Sequence, residues 1–107
     1  MYHDRYSETF GEQKKSPRFR NLARAIESRC NLIRQAPYTA CKSEPLKYEW
    51  ARKRSGHLTR QFRIIYKICE ECRERGEEEP NHMVACLPCE GVPDDTVNFL
   101  TIVDYHC

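Results

Sequence analysis

No stretch of this 107-residue chain comes near the run of about 18 apolar residues that a membrane span requires. Nor does it open on a signal peptide, because Met1 is followed by Tyr2, His3, Asp4 and Arg5. Both absences point to a cytoplasmic protein with no membrane partner. A reducing compartment argues against a disulfide framework for the seven cysteines and toward metal binding or function. The chain has no internal repeat apart from two cysteine pairs, and no HxE motif, which excludes a zinc deaminase. Its length fits a single domain, residues 1–107, with a core modest enough that a staple would help.

What is present is charge, and it is segregated. The net charge is only +2, yet Arg18 to Arg34 carries five arginines against Glu27 alone. A second basic block holds Lys47, Arg52, Lys53, Arg54, Arg60, Arg63 and Lys67, with His57 partly charged, against Glu49. Six glutamates and two arginines follow from Glu70 to Glu79. A solvated surface accounts for some of this, but two successive basic blocks favour a polyanion, most simply RNA.

The apolar pattern predicts an α+β fold. Residues 1–15 have no clear period. Ser16-Pro17 reads as a helix start, and Phe19, Leu22, Ala23, Ile26, Cys30 and Ile33 then form one helical face that ends before Pro37. Beyond Pro37 the period shortens. Leu46, Tyr48 and Trp50 alternate with polar residues, Ser55-Gly56 can turn the chain, and Leu58 to Cys69 alternates again. Val97 to Val103 is a further apolar strand. The expectation is helices packed on a twisted antiparallel sheet.

Between the last two strands lies an insert at about residues 69–90. It holds Cys69, Cys72, Cys86 and Cys89 as CxxC-x13-CxxC. Two such knuckles can close a tetrahedral structural zinc site at the tip of a hairpin, and four thiolates leave no open position for catalysis. An iron–sulfur centre, redox cysteines and unliganded cysteines are the alternatives. Cys30 belongs to the helix core, and Cys41 and Cys107 have no pattern.

Three polar residues sit on separate strand-like segments: Glu44 before Pro45, Arg63 in Gln61 to Lys67, and His106 after Asp104. A base, a fixed cation and a titratable acid are what in-line cleavage of an RNA phosphodiester requires. Each also has an ordinary reading: an exposed loop acid, a solvent-facing strand arginine and a fraying terminus. Lys47, Arg52, Lys53, Arg54 and Arg60 flank them, either as phosphate contacts or as a soluble hairpin tip.

These segments resemble the RelE/ParE superfamily of toxin–antitoxin toxins, most closely the YoeB/Txe branch with its "KPEPLK", "HRLVY" and "YHY" motifs. Here they read Lys42 to Lys47, then Phe62 to Tyr66, then Tyr105-His106-Cys107, while the cysteine insert has no counterpart. The resemblance implies a microbial-ribonuclease-like fold and a ribosome-dependent mRNA interferase, with mRNA, the ribosome and its 16S rRNA, and a cognate antitoxin as partners. A homodimer is a further expectation. It implies Glu44 as general base, Arg63 as stabiliser of the phosphorane and His106 as general acid, with no metal in that step. Asp104 would then sit close enough to raise the His106 pKa. Cys107 replaces the terminal tyrosine and Asp104 a basic residue, which puts activity in doubt. The competing readings are a non-catalytic RNA-, ribosome- or protein-binding module and, less well matched, a gyrase inhibitor like ParE.

Overall fold

The computed structural model describes residues 1–47, 53–75 and 91–104. In order these form β1 (His3–Tyr6), α1 (Glu8–Lys15), a 3-10 segment (Pro17–Leu22), α2 (Ala23–Gln35), a short turn (Ala40–Lys42), β2 (Glu44–Pro45), β3 (Arg54–His57), β4 (Phe62–Ile68), α3 (Cys69–Arg75) and β5 (Thr96–Asp104). The strands make one sheet in the order β1-β5-β4-β3-β2. No helix among the described residues is long and apolar enough to cross a membrane.

The central ladder is β4 against β5, antiparallel from Phe62↔Asp104 to Ile68↔Val97. All seven residues of β4 are buried, as a run rich in isoleucine and aromatics should be in a middle strand. Ile65 faces Thr101 while Tyr66 faces Phe99, so Leu100 is the extra residue of a bulge. The Ser7 hydroxyl donates to the Leu100 carbonyl at 2.5 Å and accepts from Phe10 N at 3.0 Å. One side chain therefore satisfies the bulge and caps α1.

The sheet is mixed rather than antiparallel throughout, because β1 runs parallel to β5, with Tyr6 opposite Phe99. That pairing was invisible in a four-residue strand with no apolar alternation. Beyond Tyr6 the edge of β5 is met by a side chain instead of a strand. Gln13 of α1 donates to the Ile102 carbonyl at 2.9 Å and accepts from Ile102 N at 2.8 Å.

Of the helical face expected from Phe19, Leu22, Ala23, Ile26, Cys30 and Ile33, four residues (Phe19, Ile26, Cys30 and Ile33) are buried with Ile64, Tyr66, Ile68, Val97, Phe99 and Ile102, Leu22 packs partly against them, and Ala23 is exposed. The start of the helix differs from the sequence reading. Ser16 terminates α1, its hydroxyl bonded to the Gln13 carbonyl, and Pro17 opens the 3-10 segment, so α2 begins only at Ala23. Ser55-Gly56 is likewise no turn but the middle of β3. Gly56 is needed there for close packing, since a Cβ would lie 3.1 Å from Ile33 Cδ1. The actual turn is Leu58 to Gln61, where Thr59 Oγ1 accepts from the backbone N–H groups of Gln61 and Phe62.

The insert begins as helix α3 rather than as a knuckle turn. Glu70 N bonds to the Asp94 carbonyl at 3.1 Å, and Arg73 pairs with the Asp94 carboxylate and the Val92 carbonyl. The chain therefore leaves for residues 76–90 and returns at one place. The hairpin predicted there lies outside the described residues.

Candidate active site

Strand alternation divides the sheet into two faces. One, with Phe62, Ile64, Tyr66 and Ile68, is covered by the helices. The other receives Arg63, Ile65 and Lys67 from β4, Ser55 and His57 from β3, and Glu44 from β2. The register puts Glu44 opposite Ser55, and His57 opposite Arg63, which in turn faces Val103. Glu44 thus lies on the same face as Arg63 but two strands away, with β3 between them, a gap that two long side chains can close.

The contact is made. Arg63 Nη1 donates to Glu44 Oε1 at 3.2 Å, with the arginine side chain 11% and the carboxylate 55% exposed. A sheltered guanidinium therefore lies beside an accessible carboxylate. His106 lies outside the described residues, as do Cys86, Cys89 and Arg52. Asp104, expected near His106, is held on the helical side by Arg18 Nη2 at 3.3 Å and by Gln61 Nε2 at 3.2 Å.

Sequence reasoning missed His57, counting it only as a partial charge. It stands across the ladder from Arg63. Its pKa lies below the ordinary value, through burial first and then the nearby charges of Arg63 and Lys42, with Glu44 pulling the other way. The imidazole is therefore mainly neutral near pH 7, able to accept a proton or a hydrogen bond. The available signal was the register: six residues before Arg63, across a tight turn, places a histidine on the same face.

The flanking cations separate into two groups. Lys47 and Arg60 are exposed. Lys53 and Arg54 are buried, at 1% and 7% exposure, and so are not the exposed hairpin tip that the sequence suggested. The cause is the misread turn: with Ser55-Gly56 in a strand, Arg54 enters the sheet and Lys53 directly precedes it, its carbonyl accepting from Leu46 N. Arg54 points to the helical side, where it meets Glu71 Oε2 at 2.6 Å and Ser43 Oγ at 2.8 Å.

Glu44 is delivered by an unusual backbone. Cys41 and Lys42, with φ of 55° and 53°, are consecutive left-handed residues, each costly for a side chain with a Cβ. The next residue, Ser43, points to the helical side and Glu44 to the other. A groove of about 420 Å³ lies elsewhere, lined by Tyr6, Lys14, Glu27, Cys30 and Arg34.

Cys69 and Cys72 fall three apart on α3 and so share a helix face. The buried Cys69 sulfur accepts from Asn98 Nδ2 at 3.2 Å, a donor that suits a metal-bound thiolate. Among the described residues no three potential ligands come together for a metal.

The sequence matches no family model and no curated protein. Solved structures do match, along the whole chain. A YoeB/ParE toxin from Agrobacterium tumefaciens superposes with a TM-score of 0.63 at 12% identity, covering 97% of this chain and 99% of that one. The chain has the YoeB-like toxin fold. The YoeB-YefM complex from Staphylococcus aureus gives 0.61 at 14% identity, over 100% and 99% of the two chains. The toxin–antitoxin complex RelBE from Mycobacterium tuberculosis gives 0.59 at 21%, over 97% and 98%. The YoeB-like fold expected from three short motifs is therefore the fold observed, at identities too low for sequence comparison to find.

Proposed function

We propose that the chain is the toxin of a type II toxin–antitoxin system and acts as an endoribonuclease on mRNA at the ribosome. The observation that carries this reading is the Arg63–Glu44 pair at 3.2 Å on the non-helical face of a YoeB-like sheet. Glu44 takes the proton from a ribose 2′-hydroxyl, and the oxygen attacks the adjacent phosphorus. Arg63 stabilises the charge that builds on the phosphorane oxygens, a task suited to a planar, permanently charged fork. His106 protonates the leaving 5′-oxygen, giving a 2′,3′-cyclic phosphate and a 5′-hydroxyl. No metal takes part in that step. On this reading Lys47 and Arg60, both exposed, contact RNA phosphates.

An antitoxin is the natural protein partner, since the similar YoeB of Staphylococcus aureus was solved with YefM. Structural zinc on Cys69, Cys72, Cys86 and Cys89 is part of the same reading. The shared helix face of the first pair and the Asn98 donor support it.

Induced expression in bacterial cells, with mapping of mRNA 5′ ends, tests the function. Growth arrest with new ends inside reading frames is expected, abolished by Glu44→Gln and by Arg63→Ala. Growth arrest with intact mRNA would overturn the nuclease and leave the binding-module reading.

A further inference from the structure

Ser43 connects the two faces of the sheet at the candidate base. Its hydroxyl accepts from Arg54 Nε at 2.8 Å and lies 2.5 Å from the Tyr66 hydroxyl, which donates to the Pro37 carbonyl at 2.6 Å. Ser43 Oγ also lies 3.1 Å from the Pro37 carbonyl, and the order that uses the three shorter contacts has Arg54 donating to Ser43, Ser43 to Tyr66, and Tyr66 to Pro37. Arg54 is fixed in turn by Glu71 at 2.6 Å, with both side chains under 10% exposed, and by its position over the Tyr38 ring. Glu71 comes from α3, the helix that opens the cysteine insert.

A buried ion pair gives back little of its desolvation cost unless geometry and further hydrogen bonds are good. Glu71 Oε1 is buried and has no hydrogen-bond partner among the described residues, where this carboxylate gains chiefly from Arg54. The beneficiary is the segment after two left-handed residues, Cys41 and Lys42, a conformation that persists only when its surroundings enforce it. With Ser43 anchored on the helical side, the next side chain must leave on the other face, and that side chain is Glu44.

We propose that Glu71 is a positioning residue, holding Glu44 against Arg63 through Arg54 and Ser43. The inference rests on Glu44 being the general base, and it makes the conformation of α3 a determinant of the active centre. Cys69 and Cys72 lie on that helix, so loss of its first turn would withdraw Glu71 from Arg54.

Two independent readouts test this. Ser43 N bonds to the Ala40 carbonyl and Leu46 N to the Lys53 carbonyl, so these two amides report on the segment. In Glu71→Gln their hydrogen exchange is expected to rise at least about tenfold, with amides of the β4–β5 ladder unchanged. Cleavage by the same variant should lose kcat about tenfold or more at unchanged KM, and Glu71→Asp should recover part of it. Adding Ser43→Ala to Glu71→Gln should cost nothing further, because both act through one path. If Glu71→Gln fails to fold, the Arg54→Gln/Glu71→Gln double variant removes both charges and must show the same local exchange. Unchanged exchange at Ser43 and Leu46, or an equal rise across the whole sheet, would overturn the proposal. Failure of the nuclease reading looks different: the wild type would cut nothing, while the exchange experiment would still decide whether Glu71 holds the segment.

Discussion

At the scale of single residues, the nearness of Glu44 and Arg63 could be expected because their types match a chemistry and their segments match a motif. The 3.2 Å contact between them supports the pairing. Glu44→Gln keeps the shape and removes the base, so kcat should fall by about 10²- to 10⁴-fold. Arg63→Ala should cost about 10²- to 10³-fold, the scale of losing one transition-state donor. Single-turnover assays on purified variants, with circular dichroism to confirm folding, check both. His57 was not legible, because its significance is a cross-strand position rather than a sequence neighbour. Its folded pKa is lowered below 6.5. The unfolded chain therefore binds the proton more readily, and stability falls as pH drops from above the unfolded value through the window beneath it. The decline in Tm between about pH 7.5 and 5.5 should be shallower in His57→Gln than in the wild type, since glutamine removes that proton uptake. An identical slope would remove His57 from the account.

At the scale of elements, the strongly periodic segments were read correctly and the weakly marked ones were not. Strand β4 and the buried face of α2 followed from spacing alone. Strand β1 did not, since its four residues alternate in no useful way and its order comes from β5 and from the Ser7 and Gln13 contacts. Ser55-Gly56 was misread because glycine marks close packing as well as turns. Two alanine substitutions separate these uses. Gly56→Ala would push a methyl to 3.1 Å from Ile33 and should destabilise by about 1–3 kcal/mol. Gly11→Ala meets nothing within 4 Å in α1 and should stabilise by about 0.4–1 kcal/mol. Urea unfolding of the two variants beside the wild type measures both signs.

At the scale of the whole molecule, the YoeB-like sheet and the cysteine insert belong to different levels of legibility. The fold could be anticipated from three short motifs, although identity to solved structures of that fold is as low as 12% and 21%. The insert could be located by its CxxC pairs, but its first part is a helix, since Cys69 to Arg75 continues directly from a buried strand into a turn fixed by Asp94. The zinc proposal makes a separate prediction. Protein purified without added metal should carry about one zinc per chain by elemental analysis, and Cys72→Ser should lose it. Metal far below one equivalent in the wild type would remove zinc and leave the active-site proposal standing.

The most direct test of the central claim is the chemistry of the cut ends. Purified protein is incubated with programmed ribosomes, and the mRNA fragments are examined for their terminal groups. Upstream fragments ending in a 2′,3′-cyclic phosphate and downstream fragments starting with a 5′-hydroxyl, both missing with Glu44→Gln, are the predicted result. Uncut mRNA, or equal cleavage by the Glu44→Gln protein, would contradict the assignment of Glu44 and Arg63 as the catalytic pair.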